Sequence, residues 1–209
     1  FLRLAPEMQR LGHDVRALTD AGNKNPSDVP VLRYTHKAQE VDPKATRLGR
    51  NFTTMSDRGV SVARQAQRMR AEGYVPDVIY GHSGWGETLF LKEVWPEAKL
   101  LVFAEFYYRG RGADTGFDPE FQVAGFDQVM IAQSRAAYMA QALAHADKGI
   151  SPTEWQASTH PPLLRQHLKD DPFDVAAIRM FAELAGRIGR YRDAENLLRR
   201  ALELSPAFT

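Results

Sequence analysis

The stretch "PDVIYGHSGWGETLFLKEVWPEAKLLVFAEF", Pro76–Phe106, decides the fold class. "DVIY" is a short apolar run, and "AKLLVFAEF" is a longer one, nearly continuous in apolar residues. Such a run marks a strand covered on both faces. Between them lie three glycines, Gly81, Gly84 and Gly86, and then a helix-like segment from about Glu87 to Val94. Strand, turn, helix, strand is the repeat of a parallel sheet wrapped by helices.

The flanks continue the alternation. Upstream, "FLRLAPEMQRLGHDVRALT" reads as a helix with Leu2, Leu4, Met8 and Leu11 on one face, a Gly12 cap and a strand at Val15–Thr19. "VPVLRYTH" (Val29–His36) is a second strand. "KAQEVDPKATRLGRNF" is a loop with a helical turn, and Thr54–Glu72 suits an amphipathic helix. Downstream, a Gly- and Asp-rich loop follows Phe106. A helix is expected from about Gln128 to Ala146. "KGISPTEWQ" is a short strand entering a helix capped by Ser151 or Thr153. The chain opens on a helix feeding a strand, so the expectation is a parallel α/β sheet whose first strand is missing.

The last 47 residues, from Leu163, differ. "LLRQHLKDDPFDVAAIRMFAELAGRIGRYRDAENLLRRALELSPAFT" suggests two helices around "GRIGRY". Pro172 and Pro206 fall one 34-residue period apart, and Ala194, Leu198, Ala201 and Pro206 sit where a tetratricopeptide repeat places such residues. "PPLLRQHLKDDP" reads as a half-repeat before it. The expected division is therefore 1–161 for the α/β domain and 162–209 for a helical hairpin resembling that repeat.

Composition excludes several classes. Among 209 residues there are 27 Lys plus Arg, 26 Asp plus Glu and no Cys. That balance offers nothing to nucleic acid, and no disulfide or thiolate metal site can form. No apolar run is long enough to span a bilayer. The arginines of "RQAQRMR" read as a solvated helix face, with peripheral contact to anionic lipid as the alternative.

Three loops stand where the carboxyl ends of parallel strands place ligands. In "GHSGWGE" the glycine order reverses the dinucleotide fingerprint. Glu87 near a helix start would satisfy the helix dipole and repel a phosphate. The alternatives are a plain capped turn, or a turn that presents His82, Trp85 and Glu87 to a substrate. An indole that stacks on a pyranose beside a carboxylate that accepts hydroxyl hydrogen bonds suits a sugar. In "EFYYRGRGADTGFDPEF", Glu105 just inside a strand end is expected to be partly desolvated and fit for acid–base work. An ion pair with Arg109 or Arg111 is the alternative. Tyr107 and Tyr108 belong either to the core or to the site. Asp114, Asp118 and Glu120 lack calcium-loop spacing, so no metal is assigned, and no cofactor. In "SPTEWQ", Trp155 is expected to pack under its helix.

Taken together, "PDVIYGHSGWGETLFLKEVWPEAKLLVFAEFYYR", "GFDPEF" and "ISPTEWQ" resemble the N-terminal domain of glycosyltransferase family 4-type enzymes, retaining transferases of GT-B architecture. The resemblance covers roughly 1–161. It implies a Rossmann-like domain, half of a GT-B fold, that holds the acceptor, and a nucleotide-sugar donor held mainly by a second domain with paired glutamates. The absence of Cys fits a cytoplasmic setting. The acceptor is a glycan or another hydroxyl compound. The donor domain is not seen in the sequence, so a fragment inactive by itself is expected. The residues assigned to the acceptor side are His82, Trp85, Glu87 and Tyr107. Glu105 is expected to orient or deprotonate the hydroxyl, and Arg109 to offset charge on the leaving phosphate. A non-catalytic scaffold that uses the repeat-like helices to bind a protein partner is the competing reading.

Overall fold

The computed structural model describes residues 4–36, 47–113, 120, 125–166 and 168–170, together with six helical positions between 191 and 199. Strands and helices alternate as expected: α1 (Leu4–Arg10), β1 (Ala17–Asp20), β2 (Val31–Tyr34), α2 (Arg47–Ala71), β3 (Val78–His82), α3 (Leu91–Val94), β4 (Lys99–Phe103), α4 (Phe126–Ala144), β5 (Lys148–Ser151), α5 (Glu154–Thr159), α6 (Pro162–Arg165) and β6 (Leu168–Asp170). All described pairings are parallel. The architecture is α/β with helices on parallel strands, compatible with a Rossmann-like fold. The strands form two sheets, β1–β2 and β3–β4–β5–β6.

The division is bridged by packing. Tyr34 of β2 is buried in one cluster with Val62, Ala66 and Met69 of α2 and with Leu91, Val94 and Trp95 around α3. These α2 residues recur every three or four positions, so one stripe of the helix covers both sheets. A second cluster holds Leu100, Val102 and Ala104 of the β4 strand line under Leu143 of α4 and Leu164 of α6. The arginines at 64, 68 and 70 are exposed, as a solvated face requires. Arg70 also donates to the Val94 carbonyl at the end of α3.

Asp147 ties three elements together. Its carboxylate accepts from the Leu100 backbone N–H at 2.9 Å, from Lys92 of α3 at 3.0 Å and from Lys99 at 3.2 Å. Its own N–H donates to the Leu100 carbonyl at 2.9 Å. The Leu100 hydrogen bond and then the two lysines hold this carboxyl well below the ordinary value of 3.8.

Three expectations are corrected and one alternative is decided. The expected face of α1 is poorly covered: Leu4 is 47% and Leu11 58% exposed. The helix expected at Glu87 begins at Leu91 instead, after a 3-10 turn at Ser83–Trp85 and a further turn. Gly86 causes this, since its φ of +78° ends the 3-10 turn in the left-handed region. Thr153 caps α5, with its hydroxyl accepting from Gln156 N–H at 3.1 Å, while Ser151 ends β5. The segment read as a half-repeat supplies α6 and the edge strand β6, whose Leu168 lies opposite Gly149. The sheet therefore continues past Pro161 to Asp170. Most of the 34-residue hairpin lies outside the described residues. Within it Glu195 pairs with Arg199 at 2.8 Å, one helical turn apart.

Candidate functional site

Because β3, β4 and β5 are adjacent and parallel, the three chemistry-bearing loops emerge side by side at one sheet edge. His82 is the last residue of β3 and lies opposite Phe103, the last of β4. Phe103 in turn lies opposite Ile150 of β5.

Sequence reasoning did not anticipate the partner of His82. Its Nε2 is 3.0 Å from Glu105 Oε2. Its Nδ1 accepts from the Gly84 backbone N–H at 2.8 Å. A ring nitrogen that accepts an amide hydrogen carries no proton, so the neutral ring holds its hydrogen on Nε2 and donates it to Glu105. Gly84 makes this approach possible: a Cβ there would stand 2.9 Å from His82 Cε1. The His82 ring is also packed edge-on to Phe103 at 5.6 Å.

Glu105 lies two residues beyond the end of β4, and its side chain is 55% exposed. Its carboxylate is therefore more open to solvent than its apolar strand pattern suggested, because the strand ends earlier. Its second oxygen, Oε1, faces no described hydrogen-bond donor. Trp85 is 53% exposed, with its ring 6.1 Å from that of His82. Histidine, carboxylate and open indole thus share one surface.

Glu87 is held elsewhere. The Tyr34 hydroxyl donates to Glu87 Oε1. Burial first, and then the Glu87 carboxylate, push the Tyr34 hydroxyl far above the usual phenol value. Glu87 therefore joins β2 to the turn after β3, and nothing in the sequence flagged a partner 53 residues away. Gly86 accepts α2 at very close range, since a Cβ there would lie 2.2 Å from the Met55 carbonyl oxygen.

Tyr107 and Arg109 belong to a different place. Arg109 donates from Nε to the Thr159 carbonyl at 2.6 Å and from Nη2 to the Ser158 carbonyl at 2.7 Å, at the C-terminal end of α5. With Tyr107, Tyr108, Arg111, Gln133 and Thr159 it walls a cavity of about 610 Å³. The Tyr107 ring lies 5.2 Å from that of His160, and burial pushes its hydroxyl up. His160 is fully buried. Its Nδ1 donates to the Gln156 carbonyl at 3.0 Å, and its Nε2 has no partner. Burial, aided by repulsion from Arg109 and Arg165, outweighs two carbonyl contacts and lowers its pKa below the usual 6.5.

Trp155 does not pack under α5. It is 57% exposed, beside Phe106 at 6.1 Å. Of the acidic loop residues, Asp114 and Asp118 lie outside the described residues. Among the described residues no group of three His, Asp or Glu side chains is placed to hold a metal ion. No described helix is long and apolar enough to cross a membrane.

A family model for the glycosyl transferase family 4 group matches residues 11–175, most of the chain. The match runs past Pro161, as β6 does. No curated protein matches the chain.

Proposed function

The chain belongs to the glycosyl transferase family 4 group, and from that premise we propose that it forms the acceptor side of a retaining transferase. A sugar passes from a nucleotide-sugar donor to an acceptor hydroxyl, and the donor's nucleotide is held by a second domain. The single observation that carries this reading is the His82–Glu105 pair, with its imidazole locked in one tautomer at a sheet edge.

Glu105 is the group that touches the acceptor. Its Oε1 accepts the hydroxyl hydrogen. The hydroxyl oxygen bonds to the anomeric carbon on the same face from which the donor phosphate departs, so configuration is kept as the bond from that carbon to the phosphate breaks. The phosphate leaves with the electron pair, and the hydroxyl proton passes to Glu105. His82 is a positioning residue that fixes Oε2 through Nε2–H. Trp85 offers its open face to the sugar ring. Glu87, bonded to Tyr34, shapes the turn that presents Trp85. The charge of Arg109 is committed to α5 and the cavity, so on this reading it binds and takes no part in the proton transfer.

The test is transfer to an acceptor by a protein that joins this domain to a donor domain. Glu105→Gln is expected to lower kcat by roughly 10²-fold or more, the scale of a lost general base. His82→Gln places an amide donor where Nε2 stood, and His82→Asn does not reach. Activity is therefore expected to fall much further in H82N than in H82Q. Unchanged turnover in E105Q, or equal loss in the two histidine variants, sinks the assignment.

A further inference from the structure

The cavity beside Tyr107 is not used by the His82–Glu105 pair, and its lining points to a particular chemistry. At about 610 Å³ it has the size of a small-ligand site. Its wall carries two guanidinium groups, Arg109 and Arg111, and no carboxylate among the described residues. Arg111 is exposed and makes no hydrogen bond or ion pair with another described residue. Arg109 is oriented by the two α5 carbonyls. A third guanidinium, that of Arg135, lies 5.8 Å over the face of Tyr108, which is itself part of the wall. Two arginines in the wall and a third packed on its Tyr108 favour positive potential there, and the guanidinium fork suits phosphate and carboxylate oxygens.

Next to the wall residue Tyr108 lies an aromatic pair. Phe106 stands between Tyr108, edge-on at 5.8 Å, and Trp155, tilted at 6.1 Å. Trp155 keeps 57% of its surface in water, although it sits on α5, whose Thr159 and following Pro161 line the cavity. An indole left open beside a cationic pocket fits a ligand with one apolar ring face and one anionic group.

We propose that this cavity binds a sugar that carries an anionic group, a phosphate or a carboxylate, at a site separate from the His82–Glu105 pair. Arg111 holds the anion, Arg109 and Arg135 add charge, and the Phe106–Trp155 shelf covers the sugar ring. This site does not rest on the transferase reading.

The test is calorimetric titration of the 209-residue chain, without donor, using glucose 6-phosphate, glucuronate, glucose and inorganic phosphate. At least one anionic sugar is expected to bind tenfold or more tighter than glucose and than inorganic phosphate, and to weaken as salt rises. Which of the two binds identifies the anion. Arg111→Ala is expected to weaken that binding about tenfold, and Arg111→Glu further. Trp155→Ala is expected to reduce the anionic sugar to the level of inorganic phosphate and to leave phosphate itself unmoved. Both side chains are exposed, so far-UV circular dichroism is expected to stay unchanged. Glucose binding as tightly as its phosphate, no anionic sugar binding, or all three variants binding like the parent overturns the proposal. Because no donor is present, failure here leaves Glu105 untouched, and failure of the Glu105 test leaves this one standing.

Discussion

Substituting Gly86 by alanine tests how the turn after β3 is built. Two separate costs are expected. The first is conformational: at φ +78° a Cβ crowds the following carbonyl, which costs about 1–2 kcal/mol. The second is contact. The new Cβ would lie 2.2 Å from the Met55 carbonyl oxygen, where ordinary contact begins at 3.4 Å. A backbone oxygen in the middle of α2 cannot rotate away, so the helix must shift by about 1 Å. Overpacking of that kind costs roughly 1–3 kcal/mol. Gly73 isolates the first cost, since its φ is +89° and a Cβ there meets nothing within 4 Å. Gly86→Ala is therefore expected to destabilise by about 2–5 kcal/mol, and Gly73→Ala by only about 1–2 kcal/mol. Urea denaturation of the two variants measures the difference. At this chain length each kcal/mol moves Tm by about 2–4 °C. If the two variants lose the same stability, the close approach of α2 to the turn does not exist. The consequence also reaches function, because α2 pressed on Gly86 sets the direction of Trp85 and Glu87.

Two acid transitions should be separable. His160 is kept neutral in the fold, with its pKa below 6.5. As pH falls below about 6.5, the unfolded chain takes up a proton that the folded chain refuses. Its share of stability is thus complete above that value and shrinks below it until the folded pKa is passed. Asp147 acts in a lower window. Its folded pKa is depressed from 3.8, so its contribution is complete above that value and is lost as pH falls further. Asp147→Asn is expected to cost about 1–2 kcal/mol at neutral pH, with the Lys92 pair the larger part. It should also flatten the profile below about 4 without moving the step near 6. Urea midpoints measured between pH 3 and 8 decide both points, and a D147N profile parallel to that of the parent refutes the second.

Much of the α/β frame could be read from periodicity, because each element covers the core with one stripe or one apolar run. Thus β4 and α4 were placed within two or three residues of their bounds at most termini. The errors fall where long-range packing overrides local pattern. The loop before Thr54 turns out to end in helix at "RLGRNF", since α2 begins at Arg47. "AKLLVFAEF" looks like nine residues of strand, yet β4 stops at Phe103. Glu105 consequently stands in solvent, within reach of His82. That the two would meet follows from β3 and β4 being neighbours in register, and nothing local to either segment reveals it. The same holds for Tyr34 and Glu87. Trp155 misled because a tryptophan on a short helix usually packs inward, whereas α5 turns it toward Phe106.

The three glycines of "GHSGWGE" look at first like a phosphate cradle, and the sequence argued against one partly from Glu87 at a helix start. That reason fails, since no helix starts there. A stronger one replaces it. A cradle needs backbone N–H groups aimed at an anion, and the Gly84 N–H is spent on His82 Nδ1. The glycines serve contact instead. A Cβ at Gly81 would meet Thr88 Cγ2 at 2.4 Å, one at Gly84 would meet the imidazole, and one at Gly86 would meet α2. Each therefore lets a neighbour come close, and together they hold one histidine in one tautomer against one carboxylate. The arginines after β4 stand apart from this turn, so on the readings proposed above proton handling and anion binding fall to different segments of the same sheet edge.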